Sequence, residues 1–201
     1  GWREYVWGLY WLWMPEYREL NALNADQPLP ASFTGGETQM ACVSHTVKAI
    51  DERAWAHHIE RLMILGNLAL TSGVRPGALV DWMWKSFIDG AEWVMLPNVI
   101  GMALYADGGR MSTKPYASGG AYINKMSDHC TDCRYDPKKR IGEHACPFTT
   151  LYWDFLARNE PALRSNHRLG NQLGSMRKLK DLDAVRERAV EVRSRLRNGS
   201  I

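Results

Sequence analysis

The chain has 201 residues, 45% of them hydrophobic, with nine Trp, nine Met and a formal net charge of +3. That is enough apolar content to bury one large core, and a membrane-spanning helix is excluded, because no run approaches the roughly 20 apolar residues it needs. No signal-peptide pattern opens the chain, which leaves a reducing cytoplasm as the expected setting and metal binding as the expected use of clustered cysteines.

In chain order, residues 2–20 read as an aromatic amphipathic helix that is already under way at Gly1, so the chain reads as the C-terminal piece of something longer. An irregular stretch, 24–41, follows. Trp55, Ile59, Leu62, Met63, Gly66 and Leu70 then recur at helical spacing. Further helices are expected near 76–88, 91–104, 115–127 and 147–158, with Pro76, Pro115 and Pro147 near their first turns, where a missing N–H costs nothing. The stretches 105–113 and 128–146 read as irregular. Leu182, Val185, Ala189, Val192 and Leu196 mark a last helix. With no strand ladder and no repeat, the expected architecture is an all-α domain whose long loops cross a site or are tied down by metal.

The cysteines are the most specific feature. They are Cys42, the pair in Cys130-Thr131-Asp132-Cys133, and Cys146 before Pro147. A C-x-x-C pair in a polar, turn-rich stretch is not the usual place of an inert core thiol. Four thiolates form a complete ligand set for tetrahedral Zn²⁺ or for an iron–sulfur cluster, and spacing alone does not separate the two. Unrelated core thiols and two disulfides are the plainer readings.

From Glu160 to Ile201 there are ten basic residues against five acidic ones. Such a tail either neutralises phosphates or forms a solvated helix face. On a helix His57 and Arg61 share a face and His58 presents a second imidazole to the adjacent sector. Satisfied core histidines are the plain alternative, as an ordinary ion pair is for Arg61 with Asp89.

Several strings carry a resemblance: Trp55-Ala56-His57-His58 through Met63, Asp89-Gly90-Ala91-Glu92-Trp93, Pro97-Asn98 and Tyr105-Ala106-Asp107-Gly108-Gly109. Thr113-Lys114-Pro115-Tyr116, Ala121-Tyr122-Ile123-Asn124, Tyr135-Asp136-Pro137-Lys138-Lys139-Arg140 and Leu151-Tyr152-Trp153-Asp154-Phe155-Leu156 continue it in order. Together with the four cysteines they resemble the C-terminal half of the iron–sulfur bacterial cryptochromes and photolyases, from about Trp2 to about Asn198.

The resemblance implies that residues 1–201 are the C-terminal part of a helical FAD-binding catalytic domain. An N-terminal α/β domain, outside this chain, binds the antenna chromophore. It implies a [4Fe–4S] cluster on Cys42, Cys130, Cys133 and Cys146, and light-driven repair of (6-4) photoproducts in UV-damaged DNA by a monomer. Arg61 and Asp89 match the pair beside the flavin, and His57 and His58 match the histidines at the lesion side. Tyr116, Tyr122 and Met102 match the lining of the pocket for the flipped base. Trp82 matches an electron-relay position, with Trp84 and Trp93 nearby and Met83 standing where an aromatic residue is expected. Met95 stands where relatives place a polar residue near flavin N5. Two other readings fit the same residues: a cryptochrome-type blue-light photoreceptor, and a nucleic-acid-binding helical module stabilised by Zn²⁺.

Overall fold

The computed structural model describes residues Gly1 to Ile201, and its only β pairing is two isolated bridges, Gln27 with Val74 and Asp136 with Ala145. The first helix, α1 (Trp2–Trp13), is shorter than expected. Pro15 cannot continue it and drives the preceding Met14 into extended backbone, so the chain resumes only as a 3₁₀ turn over Glu16–Glu19. Next comes α2 (Ala41–Arg53), which periodicity did not mark. Its buried face includes Cys42, Thr46 and Ala49 among the larger apolar residues, and so carries a weak apolar signal.

Two continuous rods then frame the molecule. The first joins α3 (His58–Glu60), a π-helical segment Arg61–Gly66 and α4 (Asn67–Ser72). After α5 (Pro76–Ser86), the second joins α6 (Glu92–Pro97) to a π-helical segment Asn98–Ala103. Pro97 withholds the N–H that an α-helix needs at that point, so the hydrogen-bond pattern changes there. The rods touch where Gly66 meets Ala103: a Cβ on Gly66 would stand 3.1 Å from the Ala103 Cβ. Gly66→Ala should therefore destabilise by about 1–3 kcal/mol, the cost of overpacking a filled contact. A lower urea midpoint with an unchanged m-value checks it.

The helix expected over 115–127 is only α7 (Gly120–Met126); residues 115–119 form an extended strap, where Ser118, Gly119 and Gly120 are poor helix formers. The chain ends with α8 (Pro147–Arg158), α9 (Glu160–Leu163), a 3₁₀ turn His167–Leu169, α10 (Gly170–Arg177) and α11 (Leu182–Asn198). α11 falls where periodicity predicts it, and α8 where Pro147 marks the first turn of an expected helix. α10 escaped it, because only Leu173 and Met176 are buried in a helix with two glycines.

α8 is the central helix, packed on α4 and α11 through fully buried Phe148, Leu151 and Phe155. Asp154, itself buried, receives hydrogen bonds from Arg158 (2.7 Å) and Arg193 (2.5 Å) and fastens α8 to α11. The basic tail is thus partly spent on ion pairs within the chain: Arg193 on buried Asp154, and, nearer the surface, Arg177 on Glu160 and Arg188 and Arg195 on Glu191. The 105–113 loop is irregular, as expected, and is organised by buried Asp107, which accepts from Tyr17 Oη (2.8 Å) and from the backbone N–H groups of Gly109 and Met111. No helix is long and apolar enough to cross a membrane.

Candidate cofactor pocket and cysteine site

The two rods, the start of α1, α5 and the strap enclose an open cavity of about 540 Å³. This lies inside the range of roughly 300–1,000 Å³ in which small-molecule and cofactor sites fall. Five of the sequence-derived site residues line it: His58, Arg61, Met95, Met102 and Tyr116. The π-helical segments supply much of the wall, through Leu62 from the first and Asn98, Val99, Met102 and Ala103 from the second. Sequence reasoning missed Trp2, whose indole N–H donates to Asn98 Oδ1 (3.3 Å) at the mouth. Its only signal was membership of an aromatic opening.

The two histidines separate. His57 is not on the helix but caps it: its Nδ1 accepts from the Ile59 N–H (3.1 Å) while Glu60 accepts from the His57 N–H (2.9 Å). Its ring lies edge-on to exposed Trp55, 6.5 Å away, and is not part of the cavity wall. His58 faces the cavity. Loss of water there, and after it the charges of Arg61 and His57, push its pKa below the usual 6.5. An NMR titration of its ring should give a midpoint below that of a free histidine. Because the folded value is the lower one, this residue contributes stability above the unfolded pKa and loses it as pH falls through the folded one.

Arg61 is held from three sides. Its Nε donates to Ala56 O (2.8 Å), one Nη donates to Asp89 Oδ1 (2.9 Å), and the guanidinium lies 4.2 Å from the centre of the Phe87 ring. The pair is unequal: the Arg61 side chain is 16% exposed and that of Asp89 52%. Asp89 therefore steers an arginine already fixed by packing, and its loss costs less than breaking a fully buried pair.

Trp82 lies one ring away from the cavity. Its N–H donates to Phe33 O (2.7 Å), its ring packs 4.7 Å from Phe33 and meets Phe87 edge-on at 6.2 Å. Its neighbour Met83 lines the cavity instead. Trp84 is exposed, and Trp93 packs edge-on against Trp7 of α1 at 5.1 Å. Tyr122 stands exposed on α7 and does not line the cavity.

All four cysteines line a second, smaller cavity, and all four are free thiols. Burial, opposed by the N–H groups of Thr149 and Phe148, pushes Cys146 up to about 11, and burial raises Cys42 further. Glycine is required opposite: a Cβ on Gly120 would stand 2.7 Å from Cys146 Sγ. Tyr135 also lines this cavity, and its buried hydroxyl has no hydrogen-bond partner. No three His, Cys, Asp or Glu side chains are gathered tightly enough to hold a single ion. Around one Zn²⁺ four sulfurs would lie about 3.8 Å apart, given bonds of about 2.3 Å. The four thiols share one cavity without forming such a group.

No family model matches the chain. It is 54% identical over 169 residues to a (6-4) photolyase of Agrobacterium fabrum, an alignment covering 84% of this chain and 33% of that protein. It is 33% identical over 97 residues to an uncharacterized protein of Acanthamoeba polyphaga mimivirus, covering 48% of this chain and 72% of that one. The chain thus spans about a third of the length of the Agrobacterium enzyme. An all-helical fold, a cavity walled by the predicted histidine, arginine and tyrosine, and this identity lead to one assignment: the chain belongs to the photolyase/cryptochrome family.

Proposed function

We propose that this chain forms the catalytic core of a flavin-dependent (6-4) photolyase that repairs UV-damaged DNA, with FAD in the 540 Å³ cavity and a [4Fe–4S] cluster at the four cysteines. The observation that carries the reading is the joining of His58, Arg61, Met95, Met102 and Tyr116 in one wall, with Asp89 paired to Arg61 behind it, in a chain about half identical to a (6-4) photolyase.

A flavin bound there would supply the light-driven electron that repair of the lesion needs. Arg61, fixed by Ala56 O and Phe87, presents its remaining N–H groups to the polar edge of a planar ring. Met95, Met102 and Leu62 exclude water from that ring. Met95 neither donates nor strongly accepts a hydrogen bond, so it would not stabilise a proton on a ring nitrogen placed beside it. His58 holds or gives a proton at an imidazole nitrogen on the cavity side, which opening and transferring the lesion hydroxyl requires. Tyr116 offers a flat partner for a base turned out of the duplex. At the second site Tyr135 supports the cluster reading, because sulfide is an acceptor for a hydroxyl otherwise left unpaired. The whole protein acts as a monomer in the cytoplasm, with an antenna chromophore bound outside this chain.

The test uses the full-length protein purified without oxygen, its absorption and EPR spectra, and a synthetic duplex holding one (6-4) photoproduct. Flavin and iron–sulfur signals with restoration of the bases under blue light are expected. A colourless protein containing Zn²⁺, or a coloured one that leaves the lesion intact, overturns the reading.

A further inference from the structure

We infer that Asn67 is a positioning residue for the pocket: its buried carboxamide clips the strap and so sets where Tyr116 stands in the cavity wall. The inference deepens the proposed function and rests on it only for the identity of the substrate.

Asn67 follows the first π-helical segment and is 0% exposed. Its Oδ1 accepts from the Ser118 N–H (3.0 Å), and its Nδ2 donates to Ser118 O (2.9 Å), Ser118 Oγ (3.1 Å) and Met63 O (3.3 Å). One side chain thus pairs with both polar groups of a single residue, as a neighbouring strand would. The strap has little else to hold it. Lys114, Pro115, Tyr116 and Ala117 make no backbone hydrogen bond. Upstream the nearest tie is Asn166 to Thr113 O (2.9 Å), and downstream it is the Gly120 N–H to Thr149 Oγ1 (2.9 Å). Ser118 is the only polar anchor between them, and Tyr116 lies two residues away with its ring in the cavity wall.

Only an amide of this length serves. A carboxylate accepts from the Ser118 N–H but turns a second acceptor toward two carbonyls, and a leucine leaves both Ser118 backbone groups unpaired. A fully buried asparagine in a helix otherwise gains nothing over an apolar residue, so its use here is the strap.

Amide exchange and DNA affinity, both on flavin-loaded full-length protein, test this. In the parent, the Ser118 amide should exchange slowly while those of Tyr116 and Ala117 exchange fast. Equal rates at all three overturn the clip, with no variant needed. Asn67→Ala should release Ser118 and weaken binding of a duplex holding one (6-4) photoproduct by about 10–100-fold, as Tyr116→Ala does, for loss of one stacking surface. Parental flavin and iron contents verify folding. The double variant should bind no worse than Tyr116→Ala alone; losses that multiply overturn positioning through Tyr116. If Asn67→Ala does not fold, Ser118→Pro removes the N–H from the strap side and is read in the same way. A parent with no preference for damaged duplex overturns the repair reading alone, and the exchange pattern still decides the clip.

Discussion

His58→Ala lowers the repair rate by about 10²–10⁴-fold, the usual loss for a positioned acid or base, while flavin content and affinity for damaged duplex stay close to the parent's. The split follows from where the side chain sits. His58 lines the cavity but makes no hydrogen bond that holds the fold together, whereas the adjacent His57 spends its Nδ1 and its backbone N–H on the helix cap. His57→Ala should behave in the opposite way, costing about 0.5–2 kcal/mol as a lost cap and leaving the rate per folded molecule nearly intact. Blue-light turnover of a duplex with a single lesion, set beside thermal melts of both variants, checks the pair of outcomes. Turnover by His58→Ala at the parental rate rejects the assignment, and a collapse confined to His57→Ala reverses it.

Cys146→Ser yields protein without iron and without a stable fold. The substitution is informative because, with no metal involved, it should be harmless: Cys146 occupies the N-cap of α8, where serine is the better residue. A structural metal centre contributes on the order of 10 kcal/mol, comparable to the whole stability of a domain. That contribution falls on a part of the chain with few other supports, since 128–146 is irregular and Cys42 comes from a distant helix. Iron analysis and the yield of soluble protein decide the matter. Soluble Cys146→Ser protein melting at the parental temperature would remove any structural role for the cysteine site.

Sequence legibility followed the strength of the local signal. α11 stood out because apolar residues repeat cleanly along it, and α8 because Pro147 marks its first turn. α2 was invisible because Cys, Thr and Ala form half of its buried face, and α10 because only Leu173 and Met176 are buried in it. Among the site residues, only His58, Arg61, Met95, Met102 and Tyr116 came together in one cavity wall. His57 and Tyr122 did not, and for a local reason: the chain enters its helix one residue after His57, and α7 starts too late to carry Tyr122 toward the cavity. Trp2 and Asn67 were missed for a different reason. An indole in an aromatic opening and an amide in a buried helix acquire meaning only from partners at Asn98 and Ser118, far along the chain.

The π-helical turn in the first rod makes spacing itself a heritable trait. Asn67 follows His58 by nine positions, and nine residues of plain α-helix span about two and a half turns, which puts two side chains on opposite sides. One π turn absorbs about one residue of that phase, so the histidine meets the cavity while the asparagine reaches the strap from a neighbouring side. Forcing Arg61–Gly66 into regular α-helix at its present length would swing everything after it by about 100°. The histidine and the asparagine would then stand on opposite sides of the rod and could not serve the same pocket. Deleting one residue there restores regular α-helix with the phase unchanged, so the segment should tolerate a one-residue deletion better than a one-residue insertion.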